Sequence, residues 1–113
     1  VIEKYLPVTE FKEAPIMEVI DVNDRIGFAA EFAPRILRIK PDYKVPLICM
    51  EPGQEIKPHV SGRGVFYFIS GCGVMTVEGK EVEVKAGTMV FVEKDETRGI
   101  RALERLTAFA VSF

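Results

Sequence analysis

The chain has 113 residues, 48% hydrophobic and 28% charged, with a net charge of −2. That length fits one domain, and the balance is that of a globular protein rather than a disordered one. Charges of both signs are interspersed and no apolar run reaches the length of a membrane span, so neither a nucleic-acid-binding face nor a helical membrane span is expected within these residues.

Taken in chain order, Pro15 to Asp21 and Arg35 to Lys40 read as strands, each beside a proline that limits its pairing. Between them, Asp24 would cap a short helix with Ile26, Ala29, Ala30 and Ala33 at helical spacing, ended by Pro34. A strand from Gly27 to Phe32 fits that stretch equally well. Val65 to Ile69 and Met89 to Val92 are apolar throughout. Runs of that kind suggest strands buried on both faces, by a second sheet or by a partner subunit.

Val74 to Val77 and Glu81 to Lys85 flank Glu78-Gly79-Lys80, where Gly79 can take the positive φ of a tight hairpin. In the second arm Val82 and Val84 alternate with Glu81, Glu83 and Lys85, which predicts one buried and one solvated face. Leu106 to Phe113 ends the chain as another strand. Short strands with turn signals every ten residues or so imply an all-β sandwich or barrel.

The two cysteines, Cys49 and Cys72, are too few for a disulfide framework and read as packed thiols. No basic-then-apolar leader pattern opens the sequence, so a cytoplasmic protein is the expectation. Only Asn23 and Gln54 carry side-chain amides, whereas Glu and Lys are abundant, a bias seen in thermophile proteins.

Two blocks carry a more specific pattern. The first begins Pro52-Gly53-Gln54-Glu55-Ile56-Lys57-Pro58-His59-Val60-Ser61 and runs on through Phe66-Tyr67-Phe68 to Gly71-Cys72-Gly73. The second runs from Ala86-Gly87 through Glu93-Lys94-Asp95-Glu96-Thr97-Arg98. Together they resemble the two motifs of the cupin family, at about 53–73 and 87–102. The resemblance implies a single domain over residues 1–113, a double-stranded β-helix or jelly-roll barrel. Residues 1–45 would supply the N-terminal strands that complete the barrel and a dimer interface.

Cupins usually hold a metal on three histidines and a glutamate. Aligned with that pattern, His59 keeps one ligand position and Ser61 replaces the second histidine. Gly64 stands at the glutamate position, with Arg63 and Val65 as alternatives. In the second motif Glu93 and Asp95 replace a proline and a glycine, and Arg98 replaces the last histidine. A divalent metal wants three or more protein donors, and a fixed guanidinium repels it. No cofactor is therefore expected. A rescued metal site would need His59, Cys49 and Glu51.

These substitutions imply a metal-free cupin that binds a small anionic or polar molecule through His59, Ser61, Arg98, Phe66 and Phe68. Arg98 would be answered by a neighbouring acid (Glu93, Asp95 or Glu96) or by a ligand anion. The alternative is a small enzyme of isomerase or dioxygenase type, with His59 as general base or in a non-standard metal site. A homodimer is the expected assembly.

Overall fold

The computed structural model describes residues 17–113. Its strands are β1 (Arg35–Lys40), β2 (Tyr43–Met50), β3 (Glu55–Val60), β4 (Gly64–Ser70), β5 (Cys72–Val77), β6 (Lys80–Lys85), β7 (Met89–Val92), β8 (Thr97–Ala102) and β9 (Leu106–Ser112). They form two antiparallel sheets, one in the order β1-β2-β9-β4-β7 and the other β3-β8-β5-β6. Consecutive strands repeatedly change sheet, as in the jelly roll that the motifs imply.

Alternation decides what each strand buries. On β4, Phe66 and Phe68 turn inward, and on β9 so do Leu106, Ala108 and Ala110, giving a core shared with Ile48, Met75 and Ile100. The small alanines on β9 lie beside the large β4 aromatics: Phe66 faces Ala110 and Phe68 faces Ala108. That large-against-small pairing between neighbouring strands lets the β4 rings pack over β9 on the inner face of the sheet.

The β5–β6 hairpin forms as its sequence suggests. Glu78 and Gly79 take φ of 50° and 77°, the double positive φ of a type I′ turn. Val84 is fully buried, but Val82 is 45% exposed. The expected solvated-and-buried split thus holds at one valine only, because β6 is an edge strand. β7 departs from expectation for the same reason: Met89 and Phe91 are exposed on the outer face, whereas Val92 is buried.

The N-terminal third differs most from its reading. The strand expected from Pro15 begins outside the described residues, and 17–21 form none. Neither the helix capped by Asp24 nor the strand from Gly27 to Phe32 is present. Instead Asp21 caps a single 3-10 turn, Val22–Asp24, its side chain accepting from the Asn23 amide at 3.0 Å. An irregular strap follows over residues 25–34.

Gln54 anchors that strap, donating from Nε2 to the carbonyls of Ala29 (2.8 Å) and Ala30 (3.1 Å). Its own Oε1 accepts from the Glu51 amide. The Arg105 guanidinium lies 4.3 Å from the centre of the Phe28 ring, a second hold on the same segment. No helix among the described residues is long and apolar enough to cross a membrane.

Candidate functional site: a cationic cavity at the barrel mouth

A cavity of about 220 Å³ opens between the sheets. Ile48, Ile56, Phe66, Ile100 and Ala110 form its apolar depth, and the strap contributes Phe32 and Pro34 as one wall. His59, Ser61, Arg98, Lys44 and Ser112 make its polar end. Of the ionisable side chains that line it, all are basic, and no Asp or Glu does so among the described residues. For a chain with 17 acids and 15 Lys and Arg, that sorting is informative.

The position of His59 depends on a bulge. On β3, Ile56 pairs with Ile100 and His59 with Arg98, so three steps on β3 match two on β8. Without the extra residue, Ile56 and His59 would point to opposite faces; with it, both line the cavity. Pro58 sits in the bulge, where a missing backbone N–H costs no ladder bond. Gly99 makes room for it: a methyl there would come within 2.7 Å of the Ile56 carbonyl oxygen and 2.8 Å of the Pro58 nitrogen.

His59 is exposed, and its Nδ1 lies 3.0 Å from the Lys57 carbonyl. A carbonyl only accepts, so Nδ1 is the donor in that contact.

Arg98 is only 4% exposed. Its Nε donates to the Glu96 carbonyl at 2.9 Å and its Nη2 to the Glu93 carbonyl at 3.1 Å, with the Ser61 carbonyl at a long 3.5 Å. Neither reading of its partner from sequence, an acid or a ligand, anticipated these backbone oxygens. Burial pulls the guanidinium below its ordinary value, and the nearby Glu96 charge pulls the other way. Arg98 thereby ties the loop after β7 to the end of β3. The same junction is closed by the Asp95 amide donating to the Ser61 carbonyl at 2.9 Å.

Asp95 itself has φ +69°, left-handed backbone at the position where the family pattern has glycine. The turn geometry of the second motif therefore persists although its residue has changed.

Phe66 lines the cavity, but Phe68 lies in the sealed core behind it, off the cavity wall. The proposed metal trio is not brought together. Cys49 faces the outer side of β2, in a recess with Gly27, Ala29 and Pro34 of the strap. Glu51 is bound by Arg105 in a two-pronged pair at 3.0 and 2.9 Å. The error was one of parity: Leu47 to Met50 are all buried, so nothing in the sequence says which pair faces inward.

Among the described residues no three His, Cys, Asp or Glu side chains gather as a metal-binding group. With Arg98 beside the one histidine, the donor set does not fit the usual cupin metal. Both cysteines are free, and desolvation followed by the Glu104 charge pushes the Cys72 thiol up.

Cavity or support residues that escaped the sequence reading include Lys44, Phe32, Ser112 and Gln54. Of these only Gln54 carried a signal, as the sole glutamine in the chain.

Comparison with known proteins agrees with this architecture. The family model for the cupin domain matches residues 46–111. A protein from Thermus thermophilus superposes with a TM-score of 0.77 at 22% identity, covering 85% of this chain and 97% of that one. A conserved protein of unknown function from Streptococcus pyogenes gives 0.75 at 19% identity, covering 93% and 94%. An RmlC-like cupin from Desulfovibrio desulfuricans gives 0.67 at 16% identity, covering 90% and 95%. No curated protein matches. With more than half its length matched and both motif regions folded as strands around one cavity, the chain belongs to the cupin family.

Proposed function

We propose that the protein is a metal-free cupin that binds a small anionic or polar molecule in its barrel cavity. The observation that carries this reading is the cavity lining, in which Arg98, Lys44 and His59 are the ionisable groups and no carboxylate stands among the described lining residues. A buried cation without an ion-pair partner among the described residues favours an anion that enters from solvent. The reading is tested by thermal-shift assays of the parent and Arg98→Ala against carboxylates, sugars and nucleotides. Stabilisation of the parent by anions, lost in the variant, is expected. Identical responses of the two proteins would remove it.

A second reading, a small enzyme with His59 as general base, is favoured by the Lys57 contact, which occupies Nδ1 and orients the exposed ring. In any assay that reveals turnover, an unchanged rate in His59→Ala would eliminate it.

A homodimer is the proposed assembly. On the outer face of the five-stranded sheet, Phe91 pairs with Val65, and Met89 pairs with Tyr67, which in turn pairs with Phe109. This gives a continuous apolar row ending at Phe91, 69% exposed, which a second copy would cover. Sedimentation that finds a monomer at micromolar concentration would count against it.

A further inference from the structure

We propose that the ligand is a small monocarboxylate with an apolar body, bound with its carboxylate at Arg98 and its body against Phe66, Ile56 and Phe32. This rests on the cavity being an anion-binding site and narrows what that site takes.

The guanidinium geometry limits the anion first. Nε and Nη2 are committed to the carbonyls of Glu96 and Glu93, which fixes the plane of the group. Nη1 makes no hydrogen bond among the described residues, so one corner of the fork remains. One corner with a single buried positive charge suits a monoanion offering one oxygen. A phosphate or dicarboxylate would need the full fork and a second buried cation, and Lys44, the next nearest in kind, is exposed. The hydroxyls of Ser61 and Ser112 also line this end and have no side-chain hydrogen bond among the described residues. They are available to the carboxylate's second oxygen.

The rest of the wall limits the body. Ile48, Ile56, Phe66, Ile100 and Phe32 offer no hydrogen-bonding side chain, so a sugar would leave its hydroxyls unpaired there. Each unpaired group carries a desolvation penalty, whereas a hydrocarbon body loses nothing. Volume gives the last bound. About 220 Å³ falls below the ~300–1,000 Å³ of pockets for drug-sized ligands. At ~30 Å³ per water-sized unit it holds on the order of seven such units, which fits a short-chain or single-ring acid and not a nucleotide.

The test is calorimetric titration of the full chain with butanoate, hexanoate, octanoate, benzoate and phenylacetate, and with the matching amides. Succinate, inorganic phosphate and glucose complete the panel. The acids are expected to bind, with each amide weaker by about tenfold or more, as loss of a charged hydrogen bond implies. Arg98→Met should abolish that acid-over-amide gap. Phe32→Ala should weaken the longer and aromatic acids about tenfold while leaving the gap in place, and it reports even if Arg98→Met does not fold. Amides equal to acids, or succinate, phosphate or glucose preferred, would overturn the monocarboxylate assignment and leave the binding cavity standing. No binding of any panel member at millimolar concentration would overturn the cavity reading itself.

Discussion

His59 and Arg98 face each other directly across the β3–β8 ladder, one exposed at the cavity rim and one almost wholly buried beneath it. Cross-strand partners share a face of the sheet, so the two side chains converge on one volume. The β3 bulge is what delivers both to that volume.

The bulge depends on Gly99, so Gly99→Ala should be costly for a one-methyl change. The methyl meets backbone atoms of Ile56 and Pro58, which cannot rotate away. Overpacking of this kind costs about 1–3 kcal/mol, and each kcal/mol shifts Tm by roughly 4–8 °C in a domain near this size. Thermal unfolding gives the measurement. An unchanged Tm would mean that the strand pair absorbs the methyl by sliding, and that the bulge is not pinned by Gly99.

Arg98 should not tolerate lysine. An ammonium on a flexible stem has no rigid fork with which to hold the Glu93 and Glu96 carbonyls together. Arg98→Lys is expected to lose about 1–3 kcal/mol of stability, the range for hydrogen bonds made by charged donors. Hydrogen exchange should quicken at residues 93–96 and at 61 more than in β4 or β9. Uniform quickening across the barrel would argue that the residue supports global packing and not this junction.

Asp95 offers a substitution in the other direction. Left-handed backbone costs most residues about 1–2 kcal/mol and glycine almost nothing, while aspartate lies between. Asp95→Gly should therefore be neutral or stabilising by up to about 1 kcal/mol, allowing for the greater freedom glycine gives the unfolded chain. Asp95→Val should destabilise. Chemical denaturation would order the three proteins, and a glycine variant clearly weaker than the parent would show that the Asp95 carboxylate has a role of its own.

The Glu51–Arg105 pair predicts a pH dependence. Hydrogen bonding from Arg105 holds the Glu51 carboxylate below its ordinary value of 4.5. The folded state then takes up that proton at lower pH than the unfolded state. The contribution is present above the ordinary value and disappears as pH falls through the lowered one. It is small, since both partners are partly exposed. Glu51→Gln should have a lower denaturation midpoint than the parent at neutral pH, and the two should converge in acid. A gap that survives acidification would place the effect in packing around the strap instead of in charge.

Much of the barrel was legible because its signals are local. The Glu78-Gly79 turn, the alternating arm at Val84 and the glycine-bracketed motif blocks each specify geometry within a few residues. The cavity was legible in part. Motif spacing singled out His59, Ser61 and Arg98, all of which line it, whereas strand alternation selected Phe66 and Phe68 together and only Phe66 is on the wall. Strand direction at Cys49 and Glu51 failed because a run buried on both faces carries no alternation to read. The strap failed for another reason: residues 25–34 are held by Gln54 and Arg105, long-range partners whose reach no local pattern encodes.

The Arg98 clamp has a consequence for how the barrel mouth is kept closed. In a metalloprotein a cross-link through a bound ion has an off-rate, a chelator that strips it and competitors that occupy it. Here the loop after β7 is held, and brought to the end of β3, by a side chain that is part of the polypeptide from synthesis onward. Its charge persists across the whole physiological pH range. The contacts that make that junction are all drawn from within the chain.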